Sequence, residues 1–399
     1  MAAEASPWDL VVIGSGVIGL TTACLLQQRL PEHTNITIVA SEFPNPSPMT
    51  QDSSNIPLAP AASSGYASMW AGAHYRPIPY LSPSNSQYGS LSGTQQRFQS
   101  QLACEHHLAI RTAKMMKQLA REHPETGIEI MPGVEYLENP PAENLALETG
   151  DVYASLDDGF RVITATEIEA LNKRAEHDIG RQIKWACKYE TYVVNVHVYC
   201  AWLLQRFLSQ GGRVVQRRLH NVGEALQVIP EAARPIVVNC SGVGLTPDPK
   251  MKIIRGQTIL VRNQYHSTTT RQCADGTWSF LIPRPLGGGT VIGGTKQVGD
   301  LETSARPEER KRLLDSAVRC FPDFVSDVKD FEVVSDNVGR RPWREGGMRI
   351  EVDELVQGGA RIPIVHGYGA GGRGYELSWG AAEEICKLVE KSGKPHARL

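Results

Sequence analysis

The chain has 399 residues, which is long enough for two or three domains with sizeable cores. Its 41 basic and 43 acidic side chains nearly cancel, so charge gives no reason to expect nucleic acid or an anionic membrane as a partner and favours small molecules. The eight cysteines are widely spaced and include no CxxC pair, so we expect no metal site, no redox-active cysteine pair and a reducing compartment.

The N-terminal segment has the pattern of a strand, a glycine turn, a helix and a second strand. Residues 9–13 and 36–40 are short apolar runs typical of buried strands, and residues 18–30 between them have helical spacing. A βαβ unit of this length pairs its two strands in parallel, so we predict an α/β domain with a parallel sheet. No other stretch approaches the roughly 18 apolar residues of a membrane span.

The glycine turn reads "GSGVIG" and places glycines at positions 14, 16 and 19. Gly14 permits the tight turn, Gly16 lets the backbone approach a pyrophosphate, and Gly19 lets the helix pack closely on the strand. The helix begins near Val17 and Ile18, and its N-terminal NH groups favour an anion there. The motif predicts a dinucleotide site.

The motif leaves open whether the dinucleotide is NAD or FAD. In either case, an acidic side chain after the second strand is expected to bind a ribose hydroxyl, and Glu42 is the first candidate. A solvated loop glutamate remains the alternative, because the spacing from Gly14 is slightly long.

The middle of the chain combines loops, helices and short strands. Residues 44–94 are rich in Pro, Ser and Gly and suit long loops around an aromatic stretch at 66–79, and residues 94–123 predict a long helix. Within that helix "CEHH" (104–107) places its side chains on different faces, so we do not expect it to bind a metal. Residues 252–294 alternate in short strands, which indicates an antiparallel sheet in a second domain.

Two later glycine segments add to the evidence for a bound cofactor. "NCSGVG" (239–244) follows a buried strand, and "HGYGAGGRGY" (366–375) precedes the last predicted helix at 375–391. A flavin held along its whole length needs such backbone contacts, and a helix N-terminus can face its electron-rich edge. These segments add the following glycines to the predicted cofactor site: Gly242, Gly369, Gly371, Gly372 and Gly374.

The segment "NVGRRPWREGGMRIE" (337–351) contains four arginines. A guanidinium group binds a carboxylate in a planar, bidentate way, so one of these arginines can fix a small acid. Spacing alone does not distinguish this from a basic surface. We find no serine, cysteine or histidine in a nucleophile motif, which argues against hydrolytic covalent catalysis.

Together these segments resemble the D-amino-acid oxidase family, especially its fungal members, from about residue 9 to residue 388. The resemblance rests on "VVIGSGVIGL", "YASMWAGAHYRPI", "VVNCSGVG", "IIRGQTILV", "FLIPRP", "VIGGT", "VGRRPWR" and "HGYGAGGRGYELSWGAAEE" in this order. It implies a FAD-binding Rossmann-like domain with a parallel sheet plus a smaller substrate domain with an antiparallel sheet. We expect a FAD-binding part at 1–252, a substrate-binding domain at 253–345 and a C-terminal FAD-binding part with a targeting tail at 346–399.

The resemblance also implies FAD as cofactor and oxidation of a D-amino acid to the imino acid, with O2 reduced to hydrogen peroxide. The family's carboxylate-binding arginine falls on Arg341, while Arg340 replaces an apolar residue. The family usually has a tyrosine before "IIP", which closes over the substrate; here Phe280 loses that hydroxyl donor. Gly371 and Gly372 are expected to contact cofactor and substrate amine through the backbone.

Several alternatives remain open from the sequence. A D-aspartate oxidase shares all of these motifs, and Arg373, where relatives carry a smaller or aromatic residue, would favour acidic substrates if it pointed into the site. An NAD-dependent dehydrogenase needs only the first motif, and a flavin-binding protein without turnover is the third possibility. The last three residues, Ala397, Arg398 and Leu399, resemble a peroxisomal address, which predicts a peroxisomal enzyme bound by the import receptor. A homodimer is possible.

Overall fold

The computed structural model describes residues 8–45, 62–149, 159–174, 182–230, 232 and 234–393. The strands in these ranges are β1 Asp9–Ile13, β2 Asn35–Ala40, β3 Ala73–His74, β4 Ile128–Leu137, β5 Arg161–Val162, β6 Trp185–Val194, β7 Arg213–Gln216, β8 Pro235–Asn239, β9 Met251–Val261, β10 Thr268–Gln272, β11 Trp278–Pro283, β12 Thr290–Gly293, β13 Gln297–Val298, β14 Val333–Arg344, β15 Arg349–Gln357 and β16 Ala360–Tyr368. The α-helices are α1 Val17–Arg29, α2 Ala67–Trp70, α3 Gly93–Glu122, α4 Ala142–Leu145, α5 Ala165–Arg174, α6 Val196–Ser209, α7 Pro307–Cys320 and α8 Gly374–Ser392.

The first sheet has the strand order β15-β16-β8-β1-β2-β7. β1 pairs in parallel with β2 and β8, β16 is parallel to β8, and β7 is parallel to β2, whereas β15 runs antiparallel at the edge. β1, β2 and β8 are almost fully buried, as expected of a parallel sheet covered by helices. The predicted α/β class and its parallel sheet are confirmed.

The second sheet has the order β13-β9-β12-β11-β10-β4-β6-β3, with β14 on β9 and β5 on β6. The predicted antiparallel pattern after residue 252 is present as β9, β11, β12 and β14. β4 and β6, however, also join this sheet, and β4 is parallel to β10. Strands from before residue 252 therefore complete the second sheet, although the predicted division assigned that part of the chain to FAD binding.

The largest core lies between the first sheet and a layer formed by α1, α3, α6 and α8. α3 begins with a capping box, in which the Ser92 hydroxyl accepts from the Gln95 NH and the Gln95 side chain accepts from the Ser92 NH. α3 and α8 cross so closely that a Cβ on Gly380 would overlap the Leu108 backbone. No helix in the described ranges is both long and apolar enough to cross a membrane.

Candidate active site

A cavity of about 1300 Å³ lies where the carboxyl ends of β1, β8 and β16 approach β9, β11 and β14 of the second sheet. This is the edge of a parallel sheet at which α/β proteins bind ligands. All predicted site residues except Gly19 line the cavity. The structure therefore brings together residues that are as far apart in the sequence as position 14 and position 374.

The glycine turn after β1 forms one end of the cavity. Gly14 has φ +102°, and a Cβ there would lie 2.5 Å from the Cys240 carbonyl oxygen. A Cβ on Gly19 would overlap the Gly14 carbonyl, which explains why Gly19 packs behind the turn and does not line the cavity. The Val17 NH at the start of α1 is 3.1 Å from the Ser68 hydroxyl. Only glycine fits at positions 14 and 19 of this turn, and the turn lies at the N-terminus of α1, where a dinucleotide diphosphate binds in such motifs.

Glu42 lies at the same end, just beyond β2. Its carboxylate accepts hydrogen bonds from the Ser63 backbone NH at 2.8 Å and from the Ser63 hydroxyl. The carboxylate lines the cavity and also holds the loop at 63–66. Binding of a ribose hydroxyl by Glu42 stays a prediction.

The opposite end of the cavity contains the buried guanidinium of Arg341, on β14. Its Nη1 donates to the Thr295 carbonyl oxygen at 3.1 Å, and the group fills the space above Gly256 on β9. Burial lowers the pKa of Arg341, and within the described part of the chain it forms no ion pair. A buried cation without a counter-ion is costly, so this end of the cavity is suited to an anion.

Phe280 and Gly372 lie beside this cation. The Phe280 ring covers Gly293 and Gly294, where a Cβ would meet it, and stands edge-on to Trp278 at 6.2 Å. A Cβ on Gly372 would be 3.6 Å from Arg341 Cδ, so the glycine backbone passes directly over the arginine. The arrangement places an apolar wall, a cation and exposed backbone groups around one small volume.

Arg373 lines the cavity but is paired. Its Nη1 lies 3.3 Å from Glu105 Oε2 on α3, so its charge is largely compensated. The "CEHH" segment on α3 includes His106, whose Nδ1 lies 3.0 Å from the Ile78 carbonyl oxygen. Within the described residues, no group of three or more His, Cys, Asp or Glu side chains is suited to a metal ion.

Sequence reasoning missed several residues of this cavity: Ser68, His74, Arg76, Trp278 and Lys296. His74 is buried, which lowers its pKa well below the usual value, and its Nδ1 is 2.6 Å from the Thr268 hydroxyl. Arg76 lies over the Trp278 ring at 5.7 Å. The aromatic stretch at 66–79 was the only sequence signal for three of them, since no spacing rule marks Trp278 or Lys296.

Residues 9–388 match the family model described as FAD dependent oxidoreductase (DAO). The chain belongs to this family. The family is the one that the motifs predicted, and FAD is its cofactor, so the alternative of an NAD-dependent dehydrogenase is set aside. The glycine turn, which has no room for a Cβ at Gly14 or Gly19 and lines the cavity at the start of α1, fits this cofactor.

Relatives of this oxidoreductase cover nearly its whole length. A D-aspartate oxidase from Talaromyces thermophilus is 46% identical over 389 residues, which are 96% of this chain and 95% of the relative. A D-amino-acid oxidase from Fusarium vanettenii is 29% identical, and the match covers 96% of this chain and 97% of that relative. Among solved structures, glycine oxidase from Geobacillus kaustophilus superposes with a TM-score of 0.64 at 17% identity, over 98% of this chain and 96% of that one, which shows a common fold.

Proposed function

We propose that this oxidoreductase oxidises D-amino acids with an acidic side chain, D-aspartate foremost, to imino acids that hydrolyse to 2-oxo acids, while O2 is reduced to hydrogen peroxide. The observation that carries the proposal is a pair of cations at one end of the cavity, Arg341 and Lys296, neither of which forms an ion pair with a described carboxylate. A substrate with two carboxylates would supply both counter-ions.

Arg341 is the group that binds the α-carboxylate in this proposal. Its buried guanidinium can donate two parallel hydrogen bonds to a carboxylate, and the Thr295 carbonyl already fixes its orientation. In this proposal the backbone of Gly372, which lies beside Arg341, contacts the substrate amine. Bound FAD supplies the hydride acceptor, N5 of its ring. With carboxylate and amine both fixed, only one enantiomer presents its Cα hydrogen in the reactive direction.

Lys296 is the group that binds the side-chain carboxylate. It follows Thr295 directly, so its backbone is attached to the same carbonyl that positions Arg341. Three other cations around the cavity are already paired: Arg76 with Glu376 at 3.8 Å, Arg373 with Glu105 at 3.3 Å and Lys252 with Glu345 at 3.5 Å. The flexible stem of a lysine can follow substrates of different length. The 46% identity to a D-aspartate oxidase supports the same preference.

A specific observation favours neutral D-amino acids as the second candidate. Phe280 and Trp278 form an apolar wall, and Phe280 has no hydroxyl to donate to a carboxylate. An apolar side chain packed on this wall would gain roughly 1.5–3 kcal/mol from burial. The two candidates differ in whether charge or apolar contact selects the side chain.

Peroxide release from the purified protein over a panel of D- and L-amino acids tests the proposal. We expect D-aspartate and D-glutamate to be the best substrates and L-amino acids to be inert. Lys296→Met should raise KM for D-aspartate about 10-fold, equivalent to about 1.4 kcal/mol, and leave D-alanine unchanged. Lys311→Met, which removes an exposed lysine on α7 from an ion pair with Asp315, is the matched control.

Three results would contradict parts of this proposal. Higher activity on D-methionine than on D-aspartate would show that apolar contact with the wall of Phe280 and Trp278, and not charge, selects the side chain. Normal turnover of Arg341→Ala at low substrate concentration would exclude the carboxylate role of that arginine. A flavin-containing protein that releases no peroxide with any amino acid would exclude the oxidase function and favour the flavin-binding alternative.

We also propose that the enzyme is imported into peroxisomes by the receptor that reads the C-terminal tripeptide. The three residues, Ala397 to Leu399, lie outside the described residues. A peroxide-forming reaction supports a compartment that contains catalase. Deletion of these three residues should move a fluorescently tagged protein from peroxisomes to the cytosol, and unchanged peroxisomal fluorescence would contradict the assignment. The possible homodimer stays a prediction.

A further inference from the structure

Arg340 and Arg341 are neighbours on β14 but serve opposite sides of it. Arg341 fills the space above Gly256, and side chains alternate between the two faces of a strand, so Arg340 points away from the substrate end. Its Nη2 lies 3.3 Å from the point that a Cβ on Gly65 would occupy, and its backbone NH donates to the Ser64 carbonyl at 2.9 Å. The backbone of Arg340 is therefore hydrogen-bonded to the loop at 63–66, and its guanidinium lies beside that loop.

That loop belongs to the cofactor end of the cavity. Its first residue, Ser63, is bonded to the Glu42 carboxylate, and its last, Tyr66, donates from Oη to the Ser15 carbonyl inside the glycine turn at 2.7 Å. The Ser63 hydroxyl lies 3.5 Å from the same Cβ point on Gly65 that Arg340 approaches. Arg340 thus lies against the loop that is bonded to the two groups, the turn and Glu42, that the sequence assigns to the dinucleotide.

The guanidinium of Arg340 has no partner of its own in the described part of the chain. Its Nε is buried and makes no hydrogen bond, and no described carboxylate forms an ion pair with it. The neighbouring Arg344, in contrast, is bonded to Asp248 at 2.8 Å. A buried guanidinium donor left unpaired costs free energy, so an anionic acceptor is expected in the adjoining cavity.

We propose that Arg340 is a cofactor-binding residue that donates hydrogen bonds to the diphosphate of FAD. The diphosphate would supply Arg340 with the anionic acceptor that no described carboxylate provides, and the planar donor fork of arginine matches phosphate oxygens. The sequence resemblance implies an apolar residue at this position, so the proposed contact departs from the family pattern. It does not depend on which amino acid the enzyme oxidises.

The affinity of the full-length, flavin-depleted protein for three flavins tests this proposal. Arg340→Leu should raise the Kd for FAD 10-fold or more and leave the Kd for riboflavin, which has no phosphate, unchanged; FMN should be intermediate. Arg262→Leu, which removes an exposed arginine outside the cavity, should change none of the three. Arg340→Lys keeps the charge without the fork, so its Kd for FAD should lie between those of wild type and Arg340→Leu.

The outcomes separate the proposal from its rivals. An equal loss of affinity for FAD and riboflavin would show that Arg340 only maintains the loop at 63–66 and would overturn the proposal. So would an unchanged Kd for FAD. An unchanged Kd combined with an altered ratio of D-aspartate to D-alanine turnover would assign Arg340 to the substrate instead. If Arg340→Leu does not fold, Arg340→Lys decides by the same comparison of FAD with riboflavin.

Discussion

Substitution of Gly256 by alanine tests the position of Arg341 without touching its charge. A Cβ on Gly256 would lie 2.5 Å from Arg341 Cζ and 2.8 Å from Nη1, whereas comfortable contacts are about 3.5 Å, so the guanidinium must withdraw by about 1 Å. Such a displacement breaks the 3.1 Å hydrogen bond to Thr295. Misplacement of a binding group by about 1 Å costs on the order of 100-fold in rate, or about 2.7 kcal/mol of transition-state stabilisation.

The assay is kcat/KM for D-aspartate, measured by peroxide release from protein with full flavin content. Gly256→Ala is expected to lower it about 100-fold, and Gly89→Ala, at a glycine with no atom within 4 Å of the added Cβ, is expected to have no effect. A Gly256→Ala protein with full flavin content and normal kcat/KM for every D-amino acid would refute the assignment of Arg341 to the substrate carboxylate.

Three further predictions concern the cofactor and stability. Gly19→Ala would overlap the Gly14 carbonyl, so the purified protein should lose flavin absorbance and melt at a lower temperature. Ser92→Ala removes the capping box of α3 and should lower the free energy of unfolding in urea by about 1 kcal/mol. Burial alone would raise the pKa of Asp248, but hydrogen bonds, the first from Arg344, lower it to about 2. Ionised Asp248 therefore contributes about 2 kcal/mol to the free energy of unfolding above pH 4, and this contribution is lost toward pH 2. The difference in free energy of unfolding between wild type and Asp248→Asn, measured in urea, should shrink over that range.

The parts of the fold that the sequence predicts well are those determined by neighbouring residues. The βαβ unit and the glycine turn are recognisable because strand, turn and helix follow one another within about 30 residues. The end of the last helix is also predicted closely, at Lys391 against Ser392 in the structure, because it too depends on neighbouring residues. The pairing of β4 with β10 joins residues more than a hundred positions apart and leaves no periodic signal in either strand.

The site shows the same division. Arg341, Phe280 and the glycines were predicted because each stands in a recognisable motif. The orientation of Arg373 was open, because its partner Glu105 lies on a helix far away in the sequence. Lys296 was missed because a single lysine after "GGT" has no chemical signature; it becomes a candidate only once Thr295 is seen to hold Arg341.

The strand order of the first sheet has a consequence for biosynthesis. β16 contributes a strand next to β8, and the glycine segment that follows β16 lines the same cavity as the turn at residues 14–19. Both are translated long after the turn at residues 14–19, so a nascent chain that already contains the complete N-terminal βαβ unit still lacks one wall of the flavin cavity. We therefore expect FAD to be taken up only after residues 360–374 have been synthesised and folded, and a fragment ending at residue 252 to bind none.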